Sequence, residues 1–209
     1  MQTEAILKPF PHIIINDTYS EKELKEIFRE IANLKGRLKG PVETGSATDA
    51  NNLPKKRGLG LWLDGDSGEY THFQDRALSP ILTYNRKIFN DDIRRSIEKL
   101  DYFFKAYYFQ TRKDCTLLQI YGDGDYYEKH TDGCVFSAIT ILYKLPKKYE
   151  GGELVFQVFD RKNKEYKVDL LNNQTIIFPS MITHEVLPVS KKDDKFISNR
   201  FTITTFINI

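Results

Sequence analysis

His130 and Asp132 stand two residues apart in the run Tyr126-Tyr127-Glu128-Lys129-His130-Thr131-Asp132-Gly133, and His184 follows about fifty residues later. Two imidazoles and one carboxylate suit a non-haem ferrous ion with coordination positions left open for chemistry. In an extended strand, residues i and i+2 project to the same side, with Cα atoms roughly 6.6 Å apart. His130 and Asp132 can therefore converge on one ion from a strand or its end. A lone His-x-Asp pair is common, so its weight depends on the elements around it.

Those elements are short apolar segments separated by Gly, Asn, Asp or Lys turns. From residue 105 onward the spacing predicts eight strands: 115–121, 126–131, 135–143, 153–159, 164–169, 174–178, 183–189 and 199–208. Such a series suggests a double-sheet jelly roll. In a jelly roll closed by pairing strands from its two ends, the second and seventh are neighbours. His130 falls in the second and His184 opens the seventh, so the three groups can meet at the barrel mouth. His12 and His72 lie outside the barrel segment and are given no metal role.

The last strand carries a second constellation. Alternation along Arg200-Phe201-Thr202-Ile203-Thr204-Thr205 puts Arg200, Thr202 and Thr204 on one face and Phe201, Ile203 and Thr205 on the other. A guanidinium followed by hydroxyls along one face can hold a carboxylate through a bidentate pair and an added hydrogen bond.

The first half supplies support. Residues 5–16 read as a strand approached through Pro9 and Pro11. Ser20 with Glu23 three residues on is a capping-box signature. Leu24, Ile27, Phe28, Ile31 and Leu34 follow at helical spacing, and Gly36 ends the run. Residues 36–72 are long and poorly periodic, as in a lid or binding loop. Residues 74–104 read as mostly helical, burying Ile88, Ile93, Ile97, Leu100, Phe103 and Phe104. The fold expected is α+β in one domain, with helical support and lid over 1–112 and a jelly-roll core over 113–209.

Composition narrows the function classes. The chain has 209 residues and a net charge of +2, which gives no electrostatic case for nucleic acid or membrane surfaces. No apolar run has the length of a membrane span, and no secretory signal pattern opens the chain. Two cysteines, Cys115 and Cys134, form no disulfide framework. A reducing cytoplasm is the expected location.

Several further pieces stand in a fixed order: Tyr121-Gly122-Asp123-Gly124 and Tyr127, His130-Thr131-Asp132, Ile139 to Tyr143, Tyr149 to Phe156 around Gly151-Gly152-Glu153, Ile176 to Ser180, His184 to Val189, and Arg200-Phe201-Thr202. Together they resemble the iron(II)/2-oxoglutarate-dependent dioxygenase superfamily, in its prolyl 4-hydroxylase-like branch, over about residues 115–209. The resemblance implies His130, Asp132 and His184 as Fe(II) ligands. It implies Arg200 as partner of the distal carboxylate of 2-oxoglutarate, helped by Thr202, with Tyr121 also touching that cosubstrate. Tyr127 matches a position facing the prime substrate, and Trp62 and Phe136 are further expected contacts. Gly151-Gly152-Glu153 is expected to be a turn. The implied reaction hydroxylates an unactivated C–H with O2, releasing succinate and CO2, with ascorbate as reductant. The implied substrate is a prolyl residue of a protein or peptide, the alternative being a free amino acid or small metabolite.

One departure is the gap of sixteen residues from His184 to Arg200, longer than the family's, owing to Lys191-Lys192-Asp193-Asp194-Lys195. Lys144 is the substitute cation should that register be wrong. Asp132 keeps the carboxylate that a halogenase lacks. Phe206 stands where nucleic-acid repair members carry a second Arg. The rival from another class is a non-catalytic, metal- or ligand-binding jelly-roll module.

Overall fold

Two antiparallel sheets face each other and a helical layer backs one of them. This computed structural model describes residues 1–65, 71–100, 102–158 and 164–209; the Phe103 side chain, expected in the core, lies outside the described residues. In chain order the elements are β1 (Gln2–Ile6), β2 (His12–Asn16), α1 (Glu21–Leu34), β3 (Lys56–Arg57), β4 (Leu59–Trp62), α2 (Pro80–Asn85), α3 (Asp91–Ile97) and α4 (Tyr102–Tyr108). There follow β5 (Lys113–Tyr121), β6 (Tyr126–His130), β7 (Phe136–Leu142), β8 (Tyr149–Gly151), β9 (Leu154–Val158), β10 (Lys164–Val168), β11 (Gln174–Pro179), β12 (His184–Val186), β13 (Val189–Lys191) and β14 (Arg200–Asn208).

One sheet runs β1-β2-β11-β7-β14-β5-β4, the other β10-β9-β12-β6-β3, and β8 and β13 form a small ribbon. The jelly-roll core with N-terminal helices is borne out. The pairing inferred for the second and seventh strands is also present, since β12 lies against β6 with His184 opposite His130.

Period-two alternation sorts the side chains between two cores. Facing the second sheet, Ile139, Ile141, Ile176 and Phe178 pack with Leu154, Phe156 and Val186. On the other side, Leu118, Ile120, Phe201 and Ile203 meet Ile27, Phe28 and Ile31 of α1. Further along, Ile13, Ile15 and Ile177 meet Ile88, Ile93, Ile97 and Phe104. Each fully buried aliphatic side chain of this kind contributes roughly 1.5–3 kcal/mol. β14 behaves as its alternation demands, with Phe201 and Ile203 in the helical core while Thr204 and Phe206 reach the space between the sheets.

The capping box of α1 is formed: the Ser20 hydroxyl accepts from the Glu23 N–H, and Glu23 Oε2 accepts from the Ser20 N–H at 2.7 Å. Where the sequence suggests one strand over 5–16, Pro9 and Pro11 divide it into the β1–β2 hairpin. The helical stretch over 74–104 is broken into short pieces because Ser79 and Asn90 each cap a new helix, with Pro80 at the first turn. Residues 36–72 are less irregular than expected. β3 pairs with β6 and β4 with β5, so the segment extends both sheets; residues 66–70 lie outside the described ones.

Candidate metal centre and its cavity

The ends of β6 and β12 hold the histidines, and Asp132 sits just beyond β6. One ligand atom from each of His130, Asp132 and His184 can be chosen so that all lie within 4.8 Å of one another. His130 Nε2 is 3.7 Å from Asp132 Oδ1, and His184 Nε2 is 3.5 Å from Asp132 Oδ2. Each imidazole uses Nδ1–H to donate to a backbone carbonyl two residues earlier, Glu128 O at 2.7 Å and Ile182 O at 2.9 Å. Those bonds select the tautomer whose Nε2 lone pair points at the centre. Burial, with the neighbouring His184 ring adding to it, pushes His130 down to about 3, so it is neutral and able to bind metal.

A hydroxyl relay sets the carboxylate. Ser137 Oγ donates to Asp132 Oδ2 at 2.5 Å and lies 2.8 Å from Ser180 Oγ. With its only hydrogen given to Asp132, Ser137 must accept from Ser180. We expect Ser137→Ala to lower metal affinity about 10- to 100-fold without loss of fold. Chelator competition under argon, with circular dichroism as the fold check, measures it; undiminished affinity would refute the relay's role.

Two nitrogens and one oxygen, oriented and partly buried, fit a first-row ion that keeps positions open. The centre borders a cavity of about 660 Å³ whose lining includes Ile139, Val186, Gln119 and Thr204. Tyr127 and Trp62, both expected near the substrate, line it too. The Tyr127 ring stacks on His130 at 3.5 Å between centroids, and its hydroxyl accepts from the Ala47 N–H at 3.0 Å. Phe136 does not reach the cavity. Its place in the alternation of β7 sends it to the helical core, 4.4 Å from the Phe104 ring centroid.

Arg200 lies at the other end of β14, only 2% exposed, with Nη1 buried and unpartnered. Its guanidinium carbon is 5.1 Å from the centroid of the Tyr121 ring, and burial raises the Tyr121 phenol above its ordinary pKa. Neither residue lines the main cavity; a void of about 10 Å³ adjoins Arg200 instead. An orphan guanidinium of this kind suits a carboxylate. Thr202 is not free to assist it, because Thr202 and Thr204 both donate to Gln119 Oε1, at 3.1 and 2.9 Å. Lys144, the substitute cation, sits over the Phe28 ring on the helical side at 4.3 Å, and so is not available to the cavity.

The Gly151-Gly152 turn shapes this end. Both residues have φ near +70°, and a Cβ on Gly152 would lie 2.7 Å from Arg200 Cδ and 2.9 Å from Val189 Cγ2. Gly152→Ala should therefore destabilise the fold by about 1–3 kcal/mol. Gly36→Ala, where a Cβ would meet nothing within 4 Å, should be close to neutral. Denaturant titration of the pair decides, and equal midpoints would refute the packing argument.

Sequence reasoning missed three groups here: Gln119, Ser137 and Lys56. Gln119 alone carried a usable signal, as a polar residue on the face shared with Leu117 and Tyr121.

The sequence model of the 2OG-Fe(II) oxygenase superfamily matches residues 116–208. A PKHD-type hydroxylase of Gloeothece citriformis is 44% identical over 54 residues, 26% of this chain and 23% of that protein. An uncharacterized PKHD-type hydroxylase of Synechocystis is 32% identical over 104 residues, 43% of this chain and 34% of its own. These matches thus span about a quarter to a third of the curated relatives' length. The crystal structure of a Pseudomonas putida prolyl-4-hydroxylase superposes with a TM-score of 0.58 at 17% identity, covering 94% of this chain and 91% of that one, a likeness of fold. All three metal-ligand candidates and Arg200 lie inside the segment that matches the 2OG-Fe(II) oxygenase superfamily, and the chain shares a prolyl-hydroxylase-like fold.

Proposed function

We propose that this chain is an Fe(II)- and 2-oxoglutarate-dependent dioxygenase that hydroxylates an unactivated C–H, the first candidate being a prolyl residue of a protein or peptide. The observation that carries the reading is the convergence of His130, Asp132 and His184 beside a cavity large enough for two reactants. The whole chain would act as one catalytic unit, residues 1–112 supporting and lining what 113–209 builds.

Each residue has a role in this reading. His130 and His184 bind through Nε2 and Asp132 through a carboxylate oxygen, held by Ser137. Ferrous ion supplies the oxygen chemistry that couples decarboxylation of 2-oxoglutarate to hydroxylation. Arg200, whose Nη1 has no partner among the described residues, pairs with the distal carboxylate of the cosubstrate. Ile139 and Val186 keep the wall apolar and restrict water. Tyr127 and Trp62 face the prime substrate. Both cysteines are free thiols, which supports a reducing, cytoplasmic setting.

The test is anaerobic addition of Fe(II) and then 2-oxoglutarate. A weak visible charge-transfer band is expected, followed in air by succinate release that a screen of peptides, amino acids and lysate fractions enhances. Failure to form the band would return the chain to a jelly-roll binding module.

A further inference from the structure

Among the described residues Lys56, like Arg200, is a buried cation left without an anionic partner. It is 4% exposed, on β3 at the edge of the second sheet, next to the strand that carries His130. Its side chain lines the same cavity as the three ligand candidates. Nζ lies 6.0 Å from the Tyr127 ring centroid, and that ring stacks directly on His130. Its hydrogen-bond partner is the Thr44 hydroxyl, at 3.5 Å, and that hydroxyl also donates to the Gly40 carbonyl at 3.1 Å. Among the described residues Lys56 forms no ion pair. The acid whose charge acts on it, Asp125, pairs with Arg57. Burial brings the ammonium down to about 8, the mark of a charge that folding has not compensated.

Other cations at the cavity are already engaged. Arg76 pairs with Asp64 and Asp114, and the Arg112 guanidinium donates to the carbonyls of Phe109 and Thr111. A buried ammonium with three donors and one long contact is costly unless an anion completes it. On the reading above, which this inference rests on and deepens, the cosubstrate has two carboxylates. One goes to the metal and the other to Arg200, at the far end of β14. Lys56, on the opposite sheet and at the substrate side, is left for the other reactant.

We propose that Lys56 binds a carboxylate of the prime substrate, so that the enzyme acts on a carboxylate-bearing molecule such as a free cyclic amino acid or a prolyl residue beside an acidic or C-terminal group. Thr44 to Ala47, held against Tyr127 through the Ala47 N–H, forms the wall on which that carboxylate rests. A neutral prolyl segment from the middle of a chain would leave the ammonium buried and unpaired.

Trp62, the chain's sole tryptophan, lines this cavity and reports binding directly. The experiment follows its fluorescence in the full-length protein under argon, with Fe(II) and 2-oxoglutarate present and again without them. The probes are L-proline and L-prolinamide, N-acetyl-L-proline and N-acetyl-L-prolinamide, and a blocked Pro-Asp dipeptide with its Pro-Asn counterpart. At least one acid should bind about 10- to 100-fold more tightly than its amide. Lys56→Met should erase that preference and Lys56→Arg restore part of it. Which pair discriminates identifies the source of the carboxylate: a free amino acid, a chain end or an acidic side chain. Equal binding of acids and amides, no binding by any acid, or an acid preference that survives Lys56→Met would overturn the proposal. If Lys56→Met weakens 2-oxoglutarate binding in place of probe binding, the ammonium serves the cosubstrate and the proposal is likewise wrong. The charge-transfer band, scored separately, tells this failure from a failure of the dioxygenase reading.

Discussion

Asp132→Ala should leave a folded protein whose coupled turnover is lower by about 10³-fold or more, since groups that act as one unit lose nearly everything when one is removed. The physical reason lies in the donor set. Asp132 is the single anion of the centre, its oxygens 3.7 and 3.5 Å from the two imidazole nitrogens, and Ser137 holds it there. Without it only the two imidazole rings remain, and binding of a divalent ion loses its charge-compensating partner. Succinate release and metal content, measured on the same preparation, test this. Full metal occupancy together with wild-type turnover would remove Asp132 from the centre. His130→Ala should behave alike, with the added loss of the ring on which Tyr127 stacks.

The second large effect is expected at Arg200. Arg200→Ala should raise the 2-oxoglutarate concentration needed for half-maximal turnover by about 10²- to 10³-fold, the consequence of removing one partner of a buried charge pair worth about 3–5 kcal/mol. The buried, partnerless Nη1 motivates this magnitude, because the guanidinium lies over Tyr121 with no acceptor of its own. Loss of packing against Gly152 predicts some destabilisation as well. Arg200→Lys, which keeps the charge but not the planar fork, should recover part of the cosubstrate affinity. A cosubstrate requirement unchanged in Arg200→Ala would show that another cation does the work, and Lys56 would be the one to examine.

Much of the candidate centre was legible in the sequence because its geometry follows from strand period and strand order. A His-x-Asp in one strand and a His in the strand predicted to pair with it leave few arrangements, and His184 does face His130 in the β12–β6 pairing. The alternation of β14 likewise placed Arg200, Thr202 and Thr204 together. Phe136 went wrong because every residue of β7 is buried, so polarity does not tell its two faces apart. Thr202 shared the right face but had a nearer acceptor in Gln119, a cross-strand fact that no local pattern carries. Lys56 was invisible for a different reason. It is one of 31 lysines and arginines, beside two other cations, and only the two-residue strand β3 takes it inside.

Tyr127 stacks on a ligand candidate with its ring while its hydroxyl anchors the segment before β3. On the proposed function, substrate selectivity and iron retention would be mechanically joined through a single phenol. Grafting that segment from a relative to change what the enzyme accepts would also loosen or tighten the hold of His130 on its ion, so evolutionary drift in substrate choice within this lineage should leave a trace in how readily the iron is lost.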